Sequence, residues 1–263
     1  MAVKAAGGRP APWFFLVGAI VWTWFCFALV IWSGKPWLEF PIAILSLLGG
    51  LGPLIVSVLL IASGYWQRDP DAWRFLRRVL NPGSLKLSWW GATLGLVLLT
   101  VLSPALVQLL LSPGKVFWEI GPTAFLSIGF VFGALEEVGW RGYAQESLQK
   151  RVPIWLAGLI IGAFWSLWHL PLFFVEGTYQ AQLGLGTLSF WTFMLGPVVA
   201  SPFYAWLYNV TGRTTFAVVL YHGVSNVGRE LIADPHPVFA LLVEALLAAV
   251  VVIVSWRWMQ RRC

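Results

Sequence analysis

Eight runs of roughly twenty mostly apolar residues dominate this chain, at about 13–32, 41–65, 88–112, 121–138, 153–175, 187–208, 214–231 and 237–258. A helix needs about 20 such residues to cross the hydrocarbon of a bilayer. Within lipid every backbone polar group must find its partner inside the chain, which leaves helices or a closed barrel. These runs are continuous rather than alternating, so they predict helices. Composition agrees: 59% of the residues are hydrophobic and 11% charged, with a mean hydropathy of +0.78. Soluble domains carry about 25% charged residues. The expected fold is therefore all-α, a polytopic membrane bundle of about eight transmembrane helices. It forms a single integral membrane domain over residues 1–263, with no repeat, low-complexity stretch or soluble domain.

The net charge of +6 does not point to nucleic acid, because the basic residues fall between apolar runs rather than on a soluble face. Eight spans put both termini on one side, with Lys4, Arg9, Arg68, Arg74, Arg77, Arg78, Lys86, Lys150, Arg151, Arg213, Arg257, Arg261 and Arg262. The other side receives Lys35, Lys115 and Arg229. That asymmetry places both termini in the cytoplasm, in the cell membrane if the source is a bacterium. The run after Lys4 and Arg9 lacks a small-residue cleavage pattern and reads as a retained first span. The two cysteines, Cys26 and Cys263, suggest neither a disulfide framework nor a thiolate metal site. Trp13, Trp32, Trp37, Trp66, Trp89, Trp118, Trp256 and Trp258 fall near span ends, as an interfacial belt does. The pairs Gly91/Gly95 and Gly158/Gly162 have the spacing of close helix contacts.

The segment Asp71–Leu80 stands apart. Ala72, Trp73, Leu76, Val79 and Leu80 share a helical face, with Arg74, Arg77 and Arg78 off it. One reading is an interfacial helix touching anionic lipid or guiding substrate. The plainer and favoured one is a basic loop that fixes topology.

Ionisable residues inside spans are costly, and each is a functional hypothesis by default. Glu136 and Glu137 close the fourth run, His169 lies in the fifth, His222 and Asn226 in the seventh and Glu244 in the eighth. His236 sits in a Pro-flanked turn and reads as a loop residue. Glu137 and Arg141 are four apart and able to pair on one helical face. Glu136, about 100° round the helix, is left free to act as a general base on water. His222 and Asn226, also four apart, offer an imidazole and an amide to a developing oxyanion. Pro171 predicts that the helix carrying His169 ends or distorts there. Singly, each has a bland explanation: a satisfied packing histidine, or a structural Glu–Arg clamp. Their conjunction in three separate apolar runs carries the case.

Glu-Glu-x-x-x-Arg at Glu136, Glu137 and Arg141, Trp-x-x-x-His at Trp165 and His169, and His-x-x-x-Asn at His222 and Asn226 together resemble the CPBP family. That family holds the type II CAAX-prenyl proteases and their bacteriocin-processing and immunity relatives. The likeness covers roughly 121–231, the expected catalytic core, and departs from the family at Trp165, where Phe is usual. It implies an intramembrane endopeptidase acting on a membrane-held, sometimes lipid-modified, peptide or protein. Glu136 and His169 would then activate water, His222 and Asn226 would line the site or hold the oxyanion, and Glu137 and Arg141 would support it. Zinc held by Glu136, His169 and His222 and a metal-free water both remain open. The alternatives are a non-catalytic peptide-binding immunity or accessory protein and, behind it, a proton-coupled transporter; no inverted repeat favours transport. Counted along the runs, Glu136 lies near the cytoplasmic side and His169 about 24 Å into its span. Their meeting requires the fifth span to tilt or start deep, and residues 142–152 are the segment that would allow it.

Overall fold

The computed structural model describes residues 10–66, 68–111, 117–118, 123–230, 232–233 and 236–262. Lys4, Arg9, Lys115, Asp234 and Cys263 lie outside them. The chain is helical in the order α1 (Pro12–Ser33), α2 (Ile42–Gly50), α3 (Gly52–Ala62), α4 (Ala72–Val79), α5 (Leu87–Leu111) and α6 (Thr123–Glu137). A π-helical stretch, Val138–Gln145, runs on from α6 into α7 (Glu146–Leu148). There follow α8 (Ile154–His169), α9 (Tyr179–Leu183), α10 (Leu188–Val210), α11 (Thr215–Glu230), α12 (Pro237–Val254) and α13 (Trp256–Met259). A short antiparallel ladder joins β1 (Phe117–Trp118) to β2 (Ile232–Ala233).

Among the described residues α1, α5, Ile154–Phe174, α10 and α12 are long and apolar enough to cross a membrane, and α2 with α3 makes a sixth if taken as one bent span. That pair bends by 65°. Pro53 supplies the reason, since it donates no N–H and its ring clashes with the carbonyl one turn back, in a Gly49-Gly50-Leu51-Gly52 run that resists nothing. The expected count of eight is not reached by this measure. The shortfall is α6 and α11, of 15 and 16 residues, which carry the polar side chains of the motifs. The protein is all the same a multi-pass integral membrane protein. Its lipid-facing surface is read from α12, where Leu242, Leu246, Ile253 and Val254 are all exposed.

The loops gather at two ends. At one, the Arg151 guanidinium donates to Pro10 O (2.9 Å) and the backbone N–H of Ile154 to Arg261 O (3.2 Å). There too the Tyr143 hydroxyl donates to Tyr65 O (2.9 Å), and Arg68 and Arg213 flank the buried Glu146 (3.0 and 3.7 Å). Glu146 also accepts from the Tyr208 hydroxyl. At the other end of α8, the Trp37 indole N–H donates to Gly177 O (3.1 Å), and the His236 backbone N–H bonds the Gln108 side chain.

Of the two glycine pairs, one is a contact. A Cβ on Gly162 would meet Pro197 O at 2.6 Å and Val198 Cα at 2.8 Å, and one on Gly158 would meet Ser201 O at 2.9 Å. α8 and α10 therefore touch backbone to backbone, which is how helices associate where lipid removes the hydrophobic drive. Around Gly91 and Gly95 nothing lies within 4 Å. Gly162→Ala is expected to lower stability by about 1–3 kcal/mol through overpacking against rigid backbone. Gly95→Ala should leave the thermal unfolding midpoint in detergent unchanged or slightly raised, and equal losses in the two variants would refute the close approach.

Candidate active site

The helix bearing the two glutamates does not stop at residue 138. It continues as a π-helix whose residues 138–145 are all buried, although four of the eight are glycine, polar or charged. A π-helical turn widens the helix and re-aims side chains, and such turns concentrate at functional sites. Phe15 packs against Trp140 and Tyr143 (both 5.4 Å between ring centroids), and Trp66 stacks on Tyr143 (4.9 Å). A Cβ on Gly139 would lie 2.4 Å from Pro53 O, so α3 also presses on this stretch.

This continuation corrects the depth read from the sequence. Glu136 stands about twelve residues before the end of α7, and Trp165 about eleven after the start of α8. Both are thus about 16–18 Å along their helices from the same turn. The Trp165 indole N–H donates to the Glu136 carboxylate at 2.8 Å. No strong tilt of α8 is needed, because its start and the end of α7 share one turn. Glu136 is therefore not free, as its position round the helix suggested: it is held by an indole.

Trp165 is the hub. Its ring stands edge-on to His222 (5.2 Å) and Tyr204 (5.5 Å) and tilted to His169 (6.0 Å). α8 ends at His169 and passes into a 3-10 turn, Leu170–Phe174, as Pro171 predicts. His169 Nδ1 lies 2.9 Å from Trp165 O. A carbonyl only accepts, so Nδ1 carries the proton, and in the neutral ring Nε2 keeps its lone pair. Trp168 and Phe193 bracket the ring at 4.7 and 5.2 Å.

Glu137 has two partners. Its carboxylate meets Arg141 at 3.1 Å, the pair expected from the spacing, and also His222 Nδ1 at 2.9 Å. The second contact turns an assumed clamp into the group that orients an imidazole, leaving His222 Nε2 to face away from it. Arg141 donates to Ser201 Oγ (2.9 Å), and its guanidinium lies over the rings of Trp165 (5.0 Å) and Tyr204 (4.5 Å). Asn226 donates to Gly129 O (3.1 Å). Gly133 permits this: a Cβ there would stand 2.7 Å from Asn226 Nδ2 and 3.1 Å from the His222 ring. α6 and α11 thus close on each other where the amide and imidazole sit.

The structure brings Glu136, Glu137, Arg141, His169 and His222 around one indole, with Asn226 one turn beyond His222. His222 is near enough to Glu136 and to His169 to interact with both electrostatically. Sequence reasoning missed Tyr204 and Ser201, which carry no motif, and the hydrogen-bonding role of Trp165. Glu244, left without a partner by the sequence, pairs with Arg229 of α11.

Glu136, His169 and His222 have the donor chemistry of a Glu-plus-two-His zinc site. All three border Trp165, but they do not meet together at one point. Among the described residues no three His, Cys, Asp or Glu side chains come together as a metal-binding group. The set as arranged does not fit a bound ion.

The model of the family described as type II CAAX prenyl endopeptidase Rce1-like matches residues 117–228, a span that contains every residue of this cluster. The CAAX prenyl protease 2 of Methanococcus maripaludis is 30% identical over 230 residues, which cover 80% of this chain and 82% of that protein. The chain belongs to the type II CAAX prenyl endopeptidase family. It is a CAAX-protease-like endopeptidase of the membrane. Family membership weighs against a transporter.

Proposed function

We propose that this endopeptidase cleaves near the C-terminus of a membrane-held, lipid-modified peptide or protein, with water activated by Glu136. Glu136 takes a proton from water while His169, through the lone pair on Nε2, accepts the second hydrogen and orients the oxygen. The water oxygen attacks the scissile carbonyl carbon, and negative charge develops on the carbonyl oxygen. In its doubly protonated form His222 keeps Nδ1–H on Glu137 and offers Nε2–H to that oxygen, with the second amide hydrogen of Asn226 beside it. Collapse of the tetrahedral species breaks the C–N bond, and Glu136 returns its proton to the leaving nitrogen. The observation that carries this reading is the contact of Glu136 with Trp165, whose ring faces two histidines with engaged Nδ1 atoms.

Substrate reaches such a site from the bilayer, so an apolar modification serves as the membrane hold, in keeping with the name of the archaeal relative. Both termini are proposed to face the cytoplasm. What supports this is the excess of basic residues in the loops that meet around Pro10, Glu146 and Arg261.

The test uses the full chain in proteoliposomes with a C-terminally prenylated peptide and its unprenylated twin. Release of a C-terminal fragment from the prenylated peptide, undiminished by a strong chelator and with no zinc by elemental analysis, is the expected result. Loss of cleavage on chelation, restored by zinc, overturns the metal-free mechanism. Binding without cleavage of either peptide overturns the protease reading in favour of a peptide-binding accessory protein.

A further inference from the structure

Residues 71–86 form a surface feature that the catalytic reading leaves unused. They connect α3, the second half of the bent span, to α5, so they lie where two membrane elements end. The segment is a helix rather than the basic loop favoured from sequence. Asp71 caps α4 by accepting from the Arg74 backbone N–H at 2.8 Å. Its buried face is Phe75 and Val79, with Ala72, Leu76 and Leu80 at the flanks. Trp73, expected on that face, points outward with 66% of its surface exposed.

Beside α4 lies a groove of about 700 Å³ with apolar walls of Trp73, Leu76 and Leu80 and a polar side of Arg77, Asn81 and Ser84. The three arginines of α4 differ in what holds them. Arg78, also on the groove, is bound to Asp69 through two nitrogens (2.7 and 3.0 Å), and the Trp66 indole donates to the same carboxylate at 2.9 Å. Burial alone would raise the Asp69 pKa, but hydrogen bonds from Arg78 and Trp66 hold it below the ordinary carboxylate value, so this ion pair persists at neutral pH. Arg74 has the Asp71 carboxylate beside it at 3.8 Å. Arg77 is exposed, and among the described residues it has no hydrogen bond, ion pair or ring contact. Just past Ser84, Lys86 is exposed and Leu87, the first residue of α5, has 86% of its surface uncovered. An apolar side chain so exposed at the start of a span faces lipid.

We propose that this groove is a binding site for an anionic phospholipid, with the headgroup phosphate on Arg77 and the first part of an acyl chain against Trp73, Leu76 and Leu80. A guanidinium with no internal partner, at the membrane surface, beside an exposed indole and an apolar trough, matches one occupant: a molecule with a phosphate at one end and hydrocarbon at the other. Arg74 and Arg78 each have a carboxylate partner, which leaves Arg77 as the groove arginine free, among the described residues, to meet a phosphate. The assignment does not rest on the proteolytic mechanism.

The experiment uses the purified full chain in detergent, titrated with dioleoyl phosphatidylglycerol or dioleoyl phosphatidylcholine, with bound lipid counted by native mass spectrometry. The wild-type protein is expected to prefer phosphatidylglycerol. Arg77→Gln should weaken phosphatidylglycerol binding about fivefold, the effect of one basic residue at an anionic surface, and leave phosphatidylcholine binding unchanged. Arg74→Gln should retain the preference, and Trp73→Ala should weaken both lipids alike. All three positions are exposed, so unchanged circular dichroism is the check on folding. An undiminished preference in Arg77→Gln, an equal loss in Arg74→Gln, or displacement of the lipid by millimolar inorganic phosphate would each overturn the assignment.

Discussion

Replacing Glu136 by Gln is expected to lower kcat for cleavage of a membrane-held peptide by about 10²–10⁴-fold, the usual contribution of a positioned general base, while peptide binding is retained. The amide is nearly isosteric and still accepts from the Trp165 indole through its oxygen, so the contact at 2.8 Å survives and the fold has no reason to move. What disappears is a group that can take a proton from water. The kinetic signature separates this from a packing defect: kcat and kcat/KM fall together while the dissociation constant of the uncleaved peptide stays put. Trp165→Phe is the companion variant. It keeps the aromatic wall and removes only the N–H, and its effect should be smaller, because Phe is the residue the family usually carries there. Unchanged cleavage in Glu136→Gln would take this carboxylate out of the mechanism altogether.

The sequence made Glu136, His169, His222 and Asn226 conspicuous because lipid makes each of them expensive, and the structure gathers the first three around one aromatic ring, with Asn226 one turn beyond. What it hid was how they are held. A π-helix has no period that hydropathy detects, and Val138–Gln145 carries Arg141, Gln145 and two glycines, so the fourth run seemed to end where it continues. Trp165 announced itself as an aromatic wall; its N–H counts only once Glu136 is known to lie 29 residues away in sequence but at the same depth. Arg229 and Glu244 read as an interfacial cation and an orphan acid, since nothing local links the end of α11 to the middle of α12. Spans were legible where side chains face lipid on most sides, as in α12. α6 and α11 were legible as runs too, but at 15 and 16 residues they fall short of a full crossing, and nothing in the sequence signalled that.

Arg141→Met is expected to cost about 3–5 kcal/mol of stability, because it strands one member of a buried ion pair. Arg141 and Glu137 are both fully buried, and Arg141 also fills the space between Trp165 and Tyr204. Methionine approximates that bulk, so the loss comes mainly from the charge left on Glu137, whose second carboxylate oxygen already has no hydrogen-bond partner among the described residues. The double variant Arg141→Met, Glu137→Gln removes the stranded charge and should regain most of the unfolding midpoint, since replacing both members of a buried pair is far less harmful than breaking it. Activity should behave differently. Glu137 also holds His222 Nδ1 at 2.9 Å, and a neutral amide stabilises an imidazolium far less than a carboxylate does. The double variant is therefore expected to be folded and poorly active, with the defect in kcat rather than in peptide affinity. If activity instead returned in step with stability, Glu137 would be a clamp for Arg141 alone, and the oxyanion would have to be held without the aid of an oriented His222.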